Sequence, residues 1–141
     1  MLLGCCEHSV DGKRRMRIPS DFKSQLNGPL VMCASVNGCI SIYTQDVFTE
    51  IFSKYATSGV FKAADQKRYT KFFSSVFDVV EDNQGRVLLP EKLYRYASIQ
   101  KDIVTVGKLN HLEIWAAERL NAVEEEESFE ETFEYLSGIE E

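Results

Sequence analysis

The chain has 141 residues, is 44% hydrophobic and carries a formal net charge of −6. This length suits one compact body or two very small ones, and no run of about 18 apolar residues is present, so we expect no membrane partner. The charge is uneven, because residues 1–75 hold ten Lys/Arg and six Asp/Glu whereas residues 76–141 hold six and sixteen. Since distant acids are screened beyond about 8 Å, local charge is the better guide to binding partners.

The first segment predicts a unit of strand, turn, strand, short helix, strand, turn, strand. Apolar stretches flank two polar turns, and Pro19 ends the second strand because it has no N–H to donate to a ladder. Asn27-Gly28 supplies helix-stop residues after the short helix. The predicted segments are the strand 5–10, the turn that begins at Asp11, the helix 20–26, and the strands 31–35 and 40–43 on either side of Asn37-Gly38.

A helical linker is predicted after the first unit. Thr44 is a candidate cap for a helix whose apolar residues recur every three or four positions, and Ser58-Gly59 is expected to break it. A second helix is predicted over 63–75, and we expect its basic side to be a solvated face. That side carries Lys67, Arg68 and Lys71.

The second unit repeats the first. Asp82-Asn83-Gln84-Gly85-Arg86-Val87-Leu88-Leu89-Pro90 lies 71 residues after the matching phrase Asp11-Gly12-Lys13-Arg14-Arg15-Met16-Arg17-Ile18-Pro19. Further on, 103–107 and 112–115 match 31–35 and 40–43 at an offset of 72. An internal repeat fixes the organisation of the fold. We predict a unit at 5–47, a linker at 48–75, a second unit at 76–119 and an acidic C-terminal helix at 120–141.

The C-terminal segment predicts one long helix from Ala116 to about Leu136. Its apolar residues form a stripe, and its glutamates lie opposite, as in an amphipathic helix. We expect the acidic side to be a solubilising face. The stripe comprises Leu120, Val123, Phe129, Phe133 and Leu136.

Cysteine and histidine do not predict a metal site or an enzyme. No Cys-x-x-Cys occurs, and the two histidines, His8 and His111, lie in no recognisable catalytic motif. Cys33 and Cys39 flank a turn and could face each other across its hairpin. No glycine-rich phosphate loop follows a strand. We therefore expect no cofactor, no small-molecule substrate and no catalysis.

The repeated phrase has a structural and a functional interpretation. An Asp in a turn can accept hydrogen bonds from turn N–H groups and pair with an Arg four residues later, which would fix the hairpin. Alternatively, the Arg can donate to phosphates or guanine edges of DNA. The first copy has Arg14 where the second has Gly85, and it adds further cations. This enrichment favours DNA contact by the first copy. Its cations are Lys13, Arg14, Arg15 and Arg17.

Two Asp-x-x-x-Arg phrases, each followed by an apolar-rich stretch and Pro (Pro19 and Pro90), resemble the MraZ family. The later segments Gly38-Cys39-Ile40-Ser41-Ile42-Tyr43 and Leu112-Glu113-Ile114-Trp115 add to the resemblance, which covers nearly the whole chain. It implies an α+β fold with a mainly β core: a pseudo-dimeric, swapped-hairpin β-barrel of two SpoVT-AbrB-like units. The sequence departs from the family pattern at Arg14, where Gly is usual, so any special backbone conformation there is in question.

The resemblance also implies a function. MraZ proteins are cytoplasmic, nucleoid-associated transcriptional regulators that bind direct repeats of double-stranded DNA upstream of the division and cell-wall gene cluster, including their own gene. They usually repress it, and they assemble into ring-shaped homo-oligomers. The family's DNA-contacting arginine falls on Arg15, with Arg86 as its equivalent in the second unit. Lys13, Arg14 and Arg17 would flank the first contact.

The main alternative is an antitoxin-like AbrB-type protein, with a DNA-binding end and an acidic helix that binds a protein. Antitoxins of this type usually carry one unit rather than two, and the acidic tail is predicted to be a continuous helix. A co-purifying stoichiometric partner would distinguish the alternative.

Overall fold

The computed structural model describes residues 1–57 and 62–139. The predicted break at Ser58-Gly59 and the final Glu140-Glu141 lie outside these ranges. The elements are β1 (Cys5–Ser9), β2 (Arg15–Met16), α1 (Ser20–Lys23), β3 (Leu30–Ala34), β4 (Ile40–Thr44), α2 (Gln45–Thr57), α3 (Ala63–Phe73), β5 (Phe77–Asp78), β6 (Val87–Leu88), α4 (Glu91–Tyr96), β7 (Asp102–Gly107), β8 (Leu112–Ala116), α5 (Ala117–Glu125) and α6 (Phe129–Ile139).

The two units exchange their outer strands. Six antiparallel strands form one sheet in the order β1-β7-β8-β4-β3-β5, and β2 pairs with β6 in a separate two-stranded ribbon. Strand β1 of the first unit therefore pairs with β7 of the second, while β5 of the second pairs with β3 of the first. Neither unit completes its sheet alone. The predicted α+β fold, a swapped-hairpin barrel built from two tandem repeats, is confirmed.

The pairing registers reveal a pseudo-twofold relation between the units. In the ribbon, Met16 lies opposite its own repeat equivalent, Val87. In the sheet, Ser41 lies opposite its equivalent, Glu113. The pseudo-twofold axis thus passes through both pairs, and the ribbon and the sheet are both built symmetrically around it.

One hydrophobic core joins the ribbon to the sheet. Met16 and Val87 of the ribbon are buried in the same cluster as Ile42 and Ile114 of the sheet, and Leu93 of α4 belongs to that cluster too. Burial of large apolar side chains contributes roughly 1.5–3 kcal/mol each, and neither short unit could bury this set by itself. The shared core therefore explains why the duplication folds as a single body.

The linker helices form a second cluster on the outside of the sheet. Phe48 and Phe52 of α2 contact Tyr43 of β4, and Phe72 of α3 packs on Phe52 at a ring-centroid distance of 5.2 Å. Helix α2 begins as predicted, because the Thr44 hydroxyl accepts a hydrogen bond from the Val47 N–H at 3.3 Å. The α2–α3 hairpin is thus held to the first unit by aromatic packing.

Apart from shifts of one or two residues at the ends of elements, four boundaries or pairings differ from the sequence predictions. Helix α1 ends at Lys23 rather than Leu26, because tighter turn bonds from Gln25 and Leu26 N–H groups replace the helical pattern. Cys33 lies opposite Ser41 and not Cys39, and both buried thiols are free. The remaining two differences concern the repeat alignment and the C-terminal helix.

The alignment of β3 with β7 was wrong by one residue. Cys33 lies opposite Ser41, and Val106 lies opposite Glu113, so Cys33 and Val106 are structural equivalents 73 residues apart rather than 72. The β7–β8 turn is correspondingly one residue shorter. Apolar identity alone cannot fix this register, because neighbouring residues of both strands are buried.

The predicted single C-terminal helix is two helices. Helix α5 ends at Glu125, and α6 begins at Phe129. The break is a capping box: the Glu131 N–H donates to the Ser128 hydroxyl at 3.2 Å, and the Ser128 N–H donates to the Glu131 carboxylate at 3.4 Å. The preceding run of four glutamates also disfavours a continuous helix through like-charge repulsion. Within the described ranges, no helix has the length and apolar character needed to cross a membrane.

Candidate nucleic-acid interface

The first repeated phrase forms a tight loop around Asp11. One carboxylate oxygen of Asp11 accepts hydrogen bonds from the N–H groups of Lys13 at 2.8 Å and Arg15 at 2.9 Å. The other oxygen accepts from Arg15 Nε at 2.7 Å. The Arg14 N–H closes the turn on the Asp11 carbonyl. The predicted Asp–Arg pair is therefore present, and it fixes both the loop and the arginine.

The second phrase repeats this geometry around Asp82. Its carboxylate accepts from the N–H groups of Gln84 at 2.8 Å and Arg86 at 2.9 Å, and from Arg86 Nε at 2.7 Å. The hydrogen bond from the backbone N–H of the paired arginine is the main cause that lowers the carboxyl pKa to about 2 in both loops. Both carboxylates are thus ionised throughout the physiological range, and both pairs persist there.

Each arginine is held by one edge of its guanidinium group. Asp binds Nε, which leaves the two Nη groups and their four N–H donors with no partner among residues 1–57 and 62–139. The side chains of Arg15 and Arg86 are 26% and 25% exposed. The arrangement pre-orients a fork of donors toward solvent, which suits a phosphate or the two acceptors of a guanine edge.

The β2–β6 ribbon brings the two arginines together. Along β2 and β6, buried residues alternate with outward ones, so Arg15, Arg17, Arg86 and Leu88 lie on the outer face. A surface depression of about 390 Å³ is lined by Arg15, Arg17 and Arg86 together with Asp11 and His8. The structure therefore assembles three of the five predicted DNA-binding cations in one place, across the pseudo-twofold axis.

Arg14 has a different environment from the other cations. Its φ is +60°, close to the +73° of Gly85, so the left-handed conformation that the loop requires is kept despite the missing glycine. Its Nε donates to the Leu89 carbonyl at 3.2 Å, and its own carbonyl accepts from the Leu89 N–H. Arg14 therefore links the first loop to the second unit, a role that was not predicted from the sequence.

The remaining predicted site residues are placed as follows. Lys13 is exposed at the tip of the first loop, and Arg17 Nε donates to the Gln84 carbonyl of the second loop at 3.1 Å. Pro19 and Pro90 are the residues that cap α1 and α4, and the carbonyl of each accepts a helical N–H. The structural residues thus hold the ribbon, while Lys13 and Arg17 extend the positive surface beyond the paired arginines.

Two residues of this surface were not predicted. His8 lines the depression, and its Nε2 lies 2.6 Å from the Thr105 hydroxyl oxygen. Burial lowers its pKa, so the ring is neutral at physiological pH. Leu88 is 51% exposed and pairs with Arg15 across the ribbon. Leu88 is the repeat equivalent of Arg17, and this equivalence was the sequence signal that could have identified Leu88 as a surface residue.

Exchanged strands, a shared core and two mirrored Asp–Arg loops define a pseudo-dimeric protein of the swapped-hairpin class. A family model described as "MraZ protein, putative antitoxin-like" matches residues 1–71 and 72–137. The chain belongs to the MraZ family, whose two units correspond to the two repeats. This is a family of regulators and not of enzymes, which accords with a site built from cations.

Proposed function

We propose that this protein is a sequence-specific, DNA-binding transcriptional regulator that acts as a repressor. In this proposal it binds direct repeats upstream of its own operon, within the division and cell-wall gene cluster, as a ring-shaped homo-oligomer. It would then work in the cytoplasm in association with the nucleoid. Membership of the MraZ family supports the regulator class.

The observation that carries the proposal is the matched presentation of Arg15 and Arg86. Each is fixed through Nε by an ionised carboxylate, and each turns its Nη donors outward beside the same depression. If the Asp–Arg pairs served only to hold the loops, the two pairs would not need to lie on one surface. Nor would three arginines need to line one depression. An arginine held in this way loses little further freedom on binding, which favours a specific, bidentate contact.

The flanking residues suit a supporting role. Arg15 and Arg86 would donate to guanine O6 and N7, which form the acceptor pair that arginine reads most often in the major groove. Lys13 and Arg17 would neutralise phosphates, a contact that sets position and affinity without carrying sequence information. Exposed Leu88 beside Arg15 offers an apolar surface to a thymine methyl group.

Assembly accounts for specificity that one subunit could not provide. A few cations bind DNA weakly and with a steep dependence on salt. Once one subunit has bound a repeat, the next repeat lies close to the next subunit of the same ring. The later contacts therefore form at high effective concentration. Only an operator whose repeat spacing matches the spacing of the subunits would receive this gain, so spacing itself becomes part of the recognition.

The test compares the wild type with Arg15→Ala on a duplex of the DNA upstream of the gene, where the proposal predicts direct repeats. We expect the wild type to shift this duplex, to bind a scrambled duplex far more weakly, and Arg15→Ala to lose the shift. Size-exclusion chromatography of the same preparations should show unchanged assembly. Full-strength binding by a folded variant would overturn the role of the loop, and a variant that dissociates would favour a purely structural pair.

An antitoxin-like function is the second candidate, favoured by the exposed apolar residues of acidic α6 and by the wording of the family description. It predicts that a stoichiometric foreign protein co-purifies with the full chain and is released when α6 is altered. Two complete units within one chain favour the first proposal, because they give DNA contacts on both sides of the pseudo-twofold axis.

A further inference from the structure

Helix α6 presents an apolar stripe that nothing within the described residues covers. Phe129, Phe133 and Leu136 are 81%, 61% and 49% exposed, and the rings of Phe129 and Phe133 stack at a centroid distance of 6.1 Å. At about 100° per residue these side chains share one face of the helix. Glu130 and Glu134 lie along the border of that face. The helix is therefore apolar on one side and acidic beside it.

A groove of matching character lies between α2 and α3. Tyr55 of α2 and Tyr69 and Phe73 of α3 line a depression of about 390 Å³. The rings of Tyr55 and Tyr69 are 5.7 Å apart. Phe72 faces inward to Phe52, whereas Tyr69 and Phe73 line the outer depression. The groove is thus an aromatic surface outside the core of the molecule.

The border of the groove is basic. Lys54 Nζ lies 5.1 Å from the centre of the Tyr55 ring. On α3, Lys67 and Lys71 lie three residues before the groove residues Thr70 and Ser74, so they flank one side of the groove. All three lysines are exposed, and the nearest acid on α3, Asp65, is 3.8 Å from Arg68 on another side of the helix. The charge of this border is opposite to that of α6.

We propose that α6 of one copy docks into the α2–α3 groove of a neighbouring copy. Phe133 and Leu136 would enter the aromatic groove, while Glu130 and Glu134 face Lys67 and Lys71. The inference rests on the self-assembly proposed above and specifies the contact that produces it. Charge complementarity selects a second copy as the occupant, since both halves of the match are present in this chain.

The two surfaces differ, so the contact is heterologous. A head-to-tail contact leaves one free α6 and one free groove after each addition, and the chain of copies ends only when a ring closes. A self-complementary patch would stop at a dimer instead. The proposed contact therefore accounts for a ring as the closed product.

The first experiment measures the mass of the assembly by size-exclusion chromatography with light scattering on the full chain. We expect Phe133→Ser combined with Leu136→Ser to weaken subunit association by at least about thirtyfold, because buried apolar anchors dominate interfaces. Both side chains are exposed within the chain, so folding should be unchanged by circular dichroism. The matched control is Val36→Ser, an exposed valine in the β3–β4 turn, which should assemble like the wild type.

The second experiment reverses charges. Glu130→Lys with Glu134→Lys should dissociate the ring, and so should Lys67→Glu with Lys71→Glu, whereas an equal mixture of the two variants should assemble again. The proposed contact would be overturned if each variant assembled alone, or if the mixture of the two variants did not assemble. A wild type that is monomeric at every concentration would overturn the ring as well. If the wild type assembles and binds DNA, and both charge-reversed variants also remain assembled, only this contact is overturned.

Discussion

The two Asp–Arg loops differ in sequence but agree in geometry. Asp11 and Asp82 make the same three hydrogen bonds at the same distances, and the fourth loop residue has a positive φ in both. At that position one loop has Arg14 and the other Gly85. The motif therefore requires a left-handed backbone there, and it leaves the side chain open to a second use.

The difference shows how a duplicated motif can diverge without losing its geometry. The first loop accepts the strain of a left-handed arginine, of order 1–2 kcal/mol, and gains a hydrogen bond from Arg14 to Leu89 of the second unit. The second loop keeps its glycine and has acidic Glu81 beside Asp82. We therefore expect Arg15 and Arg86 to have equivalent geometry in unequal electrostatic surroundings.

After the alanine variants of the two arginines, the largest effect is expected from Arg15→Lys. A lysine can hold Asp11 with its ammonium group, but it cannot also present a planar fork of donors to a guanine edge. We expect operator affinity to fall by at least about tenfold. Fluorescence anisotropy at fixed salt would measure it, with Lys13→Arg as the control that keeps wild-type affinity. An unchanged affinity for Arg15→Lys would mean that any cation suffices.

A smaller effect is expected on stability from Gly85→Ala. An added Cβ meets only Lys23 Nζ at 3.9 Å, so space is not limiting, but the φ of +73° is unfavourable for alanine. The free energy of unfolding should fall by about 1–2 kcal/mol. Urea denaturation would measure the change. Equal stability of the variant and the wild type would show that the second loop does not need its left-handed residue.

Arg14→Gly should change stability less than Gly85→Ala does. The substitution relieves backbone strain but removes the Arg14–Leu89 hydrogen bond, worth about 0.5–1.5 kcal/mol, so the two contributions nearly cancel. We expect a net change below about 1 kcal/mol in the same urea measurement. If Arg14 instead served mainly as a phosphate contact, the salt dependence of DNA binding would weaken while stability rose.

The smallest effect is expected from Asp82→Asn, because exposed pairs contribute little. A carboxyl whose pKa falls from 3.8 to about 2 on folding stabilises the protein above pH 3.8, and this contribution is lost as the pH falls toward 2. The stability difference between variant and wild type should therefore be constant near neutrality and shrink between about pH 4 and 2. Asp11→Asn should show the same profile, and different profiles would contradict the equivalence of the loops.

Local chemistry made much of the fold predictable. The turn residues, the two prolines and the apolar runs identified both hairpins of each unit, and the repeat implied that the copies share a core. The Asp–Arg pair followed from its spacing of four residues. The break between α5 and α6 was also predictable, because Ser128 and Glu131 have capping-box spacing, although the apolar stripe continues across the break and favours a single helix.

Other features depend on contacts between residues that are far apart in the sequence. The offset of 73 between β3 and β7 is set by pairing with β4 and β8, not by residue identity. The hydrogen bond from Arg14 to Leu89 is not predictable from the sequence, because the two residues lie 75 positions apart. The convergence of Arg15, Arg17 and Arg86 on one depression likewise results from the exchange of strands between the units. The predicted boundaries at 5–47, 48–75, 76–119 and 120–141 stay predictions.

The most direct test of the central claim is a paired measurement of Arg15→Ala and Arg86→Ala on one direct-repeat operator, at one salt concentration and with assembly verified. If both loops present equivalent donors to DNA, both variants should lose at least about tenfold in affinity. Arg15→Ala should lose more, because Arg17 lies at the second loop, where its Nε donates to the Gln84 carbonyl, and still supplies a cation there when Arg86 is removed. Full-strength binding by either folded, assembled variant would contradict the account.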